Sequence, residues 1–415
     1  MHLPTSGAAA VLAAATLVMT PLVACTEREA TPTSAPSSAA TSRTHRQHAP
    51  PLRRSAARHH LALNAQGQRD PRLWPYPARS IWNMPLGDQA RLLPAGLSKP
   101  SGPTLAVEED ILVATPDASP RPIYYSPVGW ARNRNRCVER TGRVLVSDAP
   151  VAPGFVTDPG FTGLTPNHPA AILRPDGTLI ETQPLHVCPD GSMVSLVAPP
   201  GWQGGSILTG DTGRQIHLGS HGASGLTAFG GTIRVGEWVP GGIIPHAVKI
   251  ELWAARYLSP ERNGFRWPAH NADTYHPSIY GGSSRYLRMG ALLALPPDFN
   301  IRRLHSQAAK ILARTLQSYG AYVVGDTTRD TVAFATEWGP AGRVISQFQN
   351  AWGFPLSGTL KLAQGKQKEF LKDLKRIYKQ LAVVDDNSPS HIGGKGKRLA
   401  PLAPPMAPLT GLTPP

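Results

Sequence analysis

The chain has 415 residues and a formal net charge of +15, with 40 glycines and 43 prolines. Most of that charge lies in two short segments, because residues 26–79 and residues 361–398 each carry a net charge of +6. The rest of the chain is almost neutral, which excludes the broad basic surface of a nucleic-acid-binding protein. Glycine and proline stay below the share that would indicate disorder throughout the chain.

The first residues predict export. An apolar stretch at residues 7–18 is too short to span a membrane and is typical of a signal peptide, which we place at residues 1–24. Leu-Val-Ala-Cys at residues 22–25 resembles the lipobox of bacterial lipoproteins, which implies a diacylglycerol on Cys25. Two acyl chains suffice for stable anchoring on the extracellular face of the cytoplasmic membrane. The alternative is an ordinary secretory signal and a released protein.

A tether follows the lipid site. Residues 25–70 are rich in Thr, Ser, Ala, Pro and Arg and show no apolar period, which predicts a disordered segment. We expect its cations to lie against anionic headgroups or wall polymers, although simple solubility explains them equally well. A single folded domain is predicted for residues 71–407, and a flexible tail for residues 408–415.

The cysteines predict a disulfide. With Cys25 lipidated, Cys137 and Cys188 remain as an even pair in an oxidising compartment. Two free buried thiols are the alternative. No cysteine spacing typical of a metal site occurs, and we expect neither a metal nor a cofactor.

Short apolar runs between residues 105 and 253 predict strands. The runs are ILVATP, RPIYYSPV, GRVLVSD, AAILRPDGTLIETQPL, SMVSLVAP, TIRVGEWV and AVKIELWA. In the fourth run, Asp176 and Gly177 supply the positive φ angles of a tight hairpin turn. We therefore expect a mainly β domain, an antiparallel sandwich or jelly roll, with a few C-terminal helices.

Helical periodicity appears only near the C-terminus. Two segments have the apolar period of an amphipathic helix. The first ends at Gly320, a glycine that suits a helix C-terminus, and the second lies further along the chain. The residues of the two faces are Leu304, Ala308, Ile311, Leu312 and Leu316, then Phe370, Leu374, Ile377, Tyr378 and Leu381.

A glycine-rich run, HLGSHGASGLTAFGGTIRVGE at residues 217–237, raises three interpretations. Its glycine spacing matches neither dinucleotide-binding nor P-loop motifs, which argues against a phosphate cradle. His217 and His221 are four residues apart, but the glycines around them argue against a shared helix face, and without a nearby carboxylate triad they are a weak indication of zinc. The remaining interpretation is a glycine-rich turn beside a ligand cleft, which places His221 among the substrate contacts.

In the segment that follows, apolar residues occupy every second position, and Glu237 and His246 fall at these positions. Both side chains are therefore expected to point to the core side. A polar side chain on a buried face is costly unless it has a partner. Either the two residues satisfy each other or backbone groups in the core, or they line a cleft and carry out acid–base chemistry there.

The loop GFRWPAHNADTYHPSIYGG combines aromatic rings with hydrogen-bonding side chains, a composition typical of sugar-binding surfaces. Long loops of this kind are often functional. The rings that could stack on sugars are Trp267, Tyr275 and Tyr280, and the polar groups beside them include His270 and Asp273. Packing at the edge of the core is the alternative.

Several blocks carry a resemblance to a known group of proteins. GGTIR, HAVKIELWA, FRWPA and LRMGALLALPP resemble a family of secreted bacterial proteins of actinobacterial type with no assigned activity, from about residue 82 to residue 405. The resemblance implies an extracellular β-rich fold. It also implies that the chain after Val383 packs onto the domain, and it implies no particular reaction.

The first hypothesis is a surface lipoprotein that binds or cleaves an extracellular polysaccharide. A hydrolase would use two carboxylates, and the candidates are Asp211, Glu237 and Asp273. A lyase would use His246 or His270 as a base together with Tyr275.

The second hypothesis is a non-catalytic, wall-associated or adhesive lipoprotein whose polar groups are structural or bind glycan. A Ser-His-Asp hydrolase is weaker, because no G-x-S-x-G motif occurs.

Overall fold

The computed structural model describes residues 63–157 and 167–409, which all lie within one compact unit. The predicted signal peptide, Cys25 and most of the tether lie outside the described residues. Within the described part of the chain, no helix combines the length and the apolar character that crossing a bilayer requires.

The described residues form fourteen strands in two sheets. The strands are β1 (Leu92–Pro94), β2 (Ala106–Val113), β3 (Pro120–Tyr125), β4 (Val144–Pro150), β5 (Ala170–Leu173), β6 (Leu179–Thr182), β7 (His186–Val187), β8 (Met193–Ser195), β9 (Val248–Leu252), β10 (Leu292–Ala294), β11 (Ala321–Asp326), β12 (Val332–Gly339), β13 (Gly342–Arg343) and β14 (Ala382–Val384). The large sheet has the order β1-β14-β10-β11-β9-β12-β2-β5-β6, with β13 beside β12, and the small sheet has the order β4-β3-β8-β7.

The mainly β prediction is confirmed, but the antiparallel sandwich is not. In the large sheet β9 pairs with β11, β12 with β2, and β2 with β5 in parallel, so the sheet is mixed. Parallel neighbours need long crossover connections. The connection from β2 to β5 contains two strands of the small sheet, and the sequence pattern gave no indication of that crossover.

Most predicted strands are present, and one is wrong. The antiparallel hairpin of β5 and β6 forms as expected, but of the two turn residues only Gly177, with a φ of 83°, has the predicted positive φ angle. TIRVGEWV instead forms a turn, in which the backbone N–H of Arg234 donates to Oε2 of Glu237 at 2.6 Å. Gly236 has a φ of 94°, and this left-handed conformation prevents an extended strand there.

The described residues also form five helices. They are α1 (Ala254–Tyr257), α2 (His276–Ile279), α3 (Gln307–Ser318), α4 (Val344–Trp352) and α5 (Gly365–Gln380), and short 3-10 turns lie at Pro200–Trp202, Arg262–Gly264 and Ile301–Arg303. The side chain of Ser306 caps α3 by accepting a hydrogen bond from the N–H of Ala309.

The apolar residues predicted for the two helices are buried, although Leu304 lies before α3 and Leu381 after α5. All ten residues of the two faces are at most 7% exposed, and they belong to one core cluster. Burying a leucine or phenylalanine side chain contributes about 1.5–3 kcal/mol. This burial fixes α3 and α5 against the large sheet.

The folded region begins earlier than the predicted boundary at residue 71. Arg69 is only 3% exposed, and its N–H donates to the carbonyl of Pro405 at 2.9 Å. Its guanidinium donates to the carbonyls of Trp74, Tyr76 and Pro404. At the end of the predicted domain, the N–H of Ala407 donates to the carbonyl of Arg69.

The chain after Val383 packs onto the domain, as expected. The N–H of Leu399 donates to the carbonyl of Leu86 at 2.9 Å, and the N–H of Gly87 donates to that of Gly393 at 3.0 Å. The side chain of Arg398 donates to three further carbonyls nearby. The segment is therefore part of the folded core region.

The predicted disulfide is confirmed. Cys137 and Cys188 are bonded with a Cα–Cα distance of 5.9 Å, within the usual range for disulfides. The bond joins the loop after β3 to the turn between β7 and β8.

Candidate functional site

Charged side chains from separate strands meet on one face of the large sheet. Residues that pair across strands lie on the same face. Glu251 of β9 pairs with Ala333 of β12, while Glu108 of β2 pairs with Ala335 of β12. Because alanine side chains are short, β12 leaves room between the two glutamates.

A cleft opens at this edge of the sheet. Here the carboxyl ends of β9 and β11 lie beside the amino ends of β2 and β12, since β9 runs antiparallel to β12. The cleft has a volume of about 450 Å³. The polar and charged residues that line it include Glu108, Glu109, Arg132, His168, Glu251, Asp326 and Arg329.

The glycine-rich run is a loop that covers the charged face of the sheet. Glu181 of β6 accepts hydrogen bonds from the N–H groups of Ser220, at 2.6 Å, and Ala228, at 3.1 Å. Gly222 has a φ of 49°, and a Cβ there would lie 3.0 Å from the carbonyl oxygen of Val324. Glycine at position 222 therefore lets the loop hold His221 against the sheet.

A buried ion pair lies beneath the loop. Nζ of Lys249 is 2.7 Å from Oδ2 of Asp110, and both side chains are completely buried. Lys249 also donates to the carbonyl of Ala228, and the hydroxyl of Thr232 donates to Oδ2 of Asp110. Burial alone would raise the pKa of Asp110, but Lys249 and His221 outweigh it and the pKa is lowered. Asp110 therefore holds its negative charge.

His221 lies between the ion pair and the cleft. Its Nε2 is 3.3 Å from Oδ1 of Asp110 and 3.8 Å from Oε2 of Glu108, and the ring is completely buried. Within the described residues, neither ring nitrogen of His221 and neither carboxyl oxygen of Glu108 has a hydrogen bond of good geometry. The sequence analysis placed His221 among substrate contacts, whereas the structure places it below the cleft surface.

Three of these side chains are close enough to act together. One ring nitrogen of His221 and one carboxyl oxygen each from Glu108 and Glu251 all lie within 4.8 Å of one another. Burial raises the pKa of Glu108, while His221 and the amide of Asn167 partly oppose that shift. This set, which we call the Glu108–His221–Glu251 cluster, can exchange protons, polarise water or hold a cation.

His246 and Glu237 lie elsewhere, in the core. Nε2 of His246 is 3.1 Å from Oε1 of Glu237, and its Nδ1 is 2.9 Å from the carbonyl of Ala247. The two side chains are 4% and 0% exposed. They satisfy each other, which matches the structural alternative for this pair.

Asp211 and His270 both contact His217, at the start of the glycine-rich run. Asp211 accepts from Nε1 of Trp82 at 2.7 Å and lies 3.4 Å from Nδ1 of His217. Nε2 of His270 is 3.2 Å from the carbonyl oxygen of His217. Neither residue lines the cleft.

The aromatic loop reaches the cleft rim through one residue. The hydroxyl of Tyr275 donates to Oδ2 of Asp326 at 3.1 Å, and Asp326 lines the cleft. Tyr275 is 39% exposed, whereas Tyr280 is 4% exposed and donates to Asp273 at 2.7 Å. Burial raises the pKa of Asp273. Trp267 is half-buried and donates to a backbone carbonyl.

No family model, curated protein or solved structure matches this chain. The resemblance to secreted bacterial proteins therefore stays a prediction. The chemistry of the cleft is what supports a function.

The sequence analysis missed Glu108 and Glu251, although the sequence contains an indication of both. In VKIELW, charged residues alternate with apolar ones, and VEEDILV has three consecutive acidic residues within an otherwise apolar strand. In a sheet with one solvated face, such residues point to water. The additional indication was the glycine-rich run, because a loop with so few side chains can lie directly on that face.

Proposed function

We propose that the protein is a cell-surface lipoprotein that binds and cleaves an extracellular polysaccharide in the cleft at Glu108 and Glu251. The observation that carries this proposal is the Glu108–His221–Glu251 cluster at the base of a solvent-reachable polar cleft. Burying the carboxyl group of Glu108 and the imidazole of His221 with only poorly aligned hydrogen-bond contacts is costly. Polar groups buried at such a cost are common in catalytic and binding sites.

The cleft suits a sugar chain. Cleavage of a glycosidic bond needs groups that exchange a proton with the sugar oxygen or polarise water, and the cluster supplies two carboxyl groups within 4.8 Å of each other. Beside them, Thr327, Thr328 and Arg329 provide hydrogen-bonding groups along the wall. The exposed ring of Tyr275 adds an apolar face near the rim.

The full chain carrying Cys25→Ser, which removes the predicted lipidation site, tests the proposal against neutral, acidic and phosphorylated polysaccharides. We expect new reducing ends, or ultraviolet-absorbing unsaturated ends, with one of these polymer classes. If the Glu108–His221–Glu251 cluster catalyses the reaction, we expect these products to disappear in the Glu251→Gln variant. Absence of both binding and cleavage across all three classes would overturn the proposed function.

A second candidate function, retention at the cell wall without catalysis, is favoured by the exposed side of α5. That surface, the α5 cationic face, consists of Lys366, Lys368, Lys372, Lys375, Arg376 and Lys379. Among the described residues, its one ion pair is Arg376 with Asp373 at 3.2 Å. A groove of about 730 Å³ beside it adds Arg303 and His305. Such a surface attracts phosphate-bearing polymers.

Neutralising the α5 cationic face should weaken binding to anionic wall polymer severalfold at low salt, with a smaller effect at high salt because exposed charges are screened. The variant replaces Lys366, Lys368, Lys372 and Lys379 by Gln. A matched variant removes four exposed cations elsewhere: Arg79, Lys99, Arg214 and Arg262. Sedimentation with purified wall polymer measures binding, and equal losses in both variants would contradict a specific role for α5.

A further inference from the structure

We propose that Glu108, His221 and Glu251 form a binding site for a divalent transition-metal ion, with Zn²⁺ as the best-fitting ion. The site lies in the cleft of the proposed function, but binding of the ion does not depend on that function. The sequence alone favoured no metal, since the three residues come from β2, the glycine-rich loop and β9.

The donor set has the chemistry of a zinc site. Imidazole nitrogen and carboxylate oxygen are both common zinc ligands, and catalytic zinc sites use three protein ligands with water in the remaining position. An all-oxygen set would instead favour calcium or magnesium. The nitrogen of His221 therefore favours a transition metal.

The distances bring the three donors within reach of one ion. Ligands bound at about 2.0–2.2 Å lie at most roughly 4 Å apart. Nε2 of His221 and Oε2 of Glu108 are already 3.8 Å apart, and all three donors lie within 4.8 Å of one another. Small rotations of the glutamate side chains close the remaining gap.

The unsatisfied polar atoms are the independent indication of a ligand. In the described part of the chain, hydrogen bonds of good geometry are missing at both nitrogens of His221, both oxygens of Glu108 and Oδ1 of Asp110. His221 is completely buried and lies against these oxygens. Buried polar atoms are usually paired, and a cluster of exceptions calls for a partner such as an ion. A cation satisfies several of these atoms at once.

The surroundings hold the donors in place and leave one side open. Asp110 is fixed by Lys249 and Thr232, and its Oδ1 lies 3.3 Å from Nε2 of His221. The same ring nitrogen faces Glu108, so on binding an ion Nε2 exchanges its contact with Asp110 for the bond to the metal. On the other side, Glu108 and Glu251 line the cleft, so that an ion can enter and keep a position for water.

Gly325 gives a sharp probe of the site. A Cβ at this position would lie 2.7 Å from Oε1 of Glu251, so that Gly325→Ala pushes the carboxylate away without changing any ligand. The φ angle of Gly325 lies outside the left-handed region. Alanine therefore fits the backbone conformation.

The experiment measures Zn²⁺ binding by equilibrium dialysis with chelator-stripped full chain carrying Cys25→Ser. We expect wild-type protein to bind one more equivalent of Zn²⁺ than the Glu251→Gln, Glu108→Gln and Gly325→Ala variants. In each variant the affinity of the cluster for Zn²⁺ should fall at least about tenfold. Histidines elsewhere are identical in all variants, so the difference belongs to the cluster. Glu369→Gln, an exposed control on α5, should bind like wild type.

A second readout separates loss of the ion from loss of the fold. Zn²⁺ should raise the melting temperature of wild type and leave that of Glu251→Gln unchanged, because a ligand stabilises only a native state that binds it. Equal binding and equal shifts in wild type and all three variants would overturn the site. Zinc binding without polysaccharide binding or cleavage contradicts the proposed function alone, and cleavage by the metal-free protein contradicts a catalytic role for the ion.

Discussion

Replacing Glu251 by Gln should lower the rate of polysaccharide cleavage by about 10²- to 10⁴-fold, the usual contribution of a group that moves a proton or supports a polarised water. Glutamine keeps the size of the side chain but carries no negative charge. Glu251 is 6% exposed and lines the cleft, so the change removes a charge from the reaction centre with little effect on packing. Initial rates on the most reactive polymer measure the effect.

The control for this prediction is Glu369→Gln, because Glu369 is exposed and lies on α5. Its rate should stay within about twofold of wild type, as for most surface substitutions. A rate for Glu251→Gln close to that of the control would place the reaction elsewhere. Circular dichroism on both variants confirms that the comparison concerns folded protein.

Replacing Asp110 by Asn should lower the free energy of unfolding by about 3–5 kcal/mol, since it leaves a buried cation without its partner. Asp110 is the buried carboxylate in contact with Lys249, at 2.7 Å, and it also lies 3.3 Å from His221. Asparagine can keep the hydrogen bond from Thr232 but not the charge. Urea denaturation, with the slope compared between variants, measures the loss.

The double variant Asp110→Asn, Lys249→Met should recover a large part of that loss. Methionine fills the space of the lysine stem and removes the unpaired charge. Asp148→Asn is the matched control, since its pair with Arg174 is partly exposed and should be worth less than about 1 kcal/mol. Additive losses in the double variant would show that the pair is not coupled.

Local features of the fold could be predicted from the sequence. The hairpin at Asp176 and Gly177 and the apolar faces of α3 and α5 depend on neighbours within a few residues, and all three are present. TIRVGEWV failed because the hydrogen bond from Arg234 to Glu237 competes with strand formation. Local polar side chains often compete with secondary structure in this way.

The site depends on long-range pairing, which the sequence pattern does not give. Glu108 and Glu251 come together through β12, whose Ala333 and Ala335 pair with Glu251 and Glu108. An antiparallel sandwich would not have placed these strands side by side in this order. His221 was identified as a candidate from its glycine-rich neighbours, but its partners could not be identified without the topology.

Arg69 has a mechanical consequence for a protein attached to a surface through residues before it. Its N–H bonds to Pro405, and its guanidinium bonds to three carbonyls, so the last segment of the fold clasps the first. A pull applied upstream of Leu63 would reach this clasp before it reached the sheets. The clasp would then take the shear force, and the cleft, built on β2, β9 and β12, would keep its shape under tension.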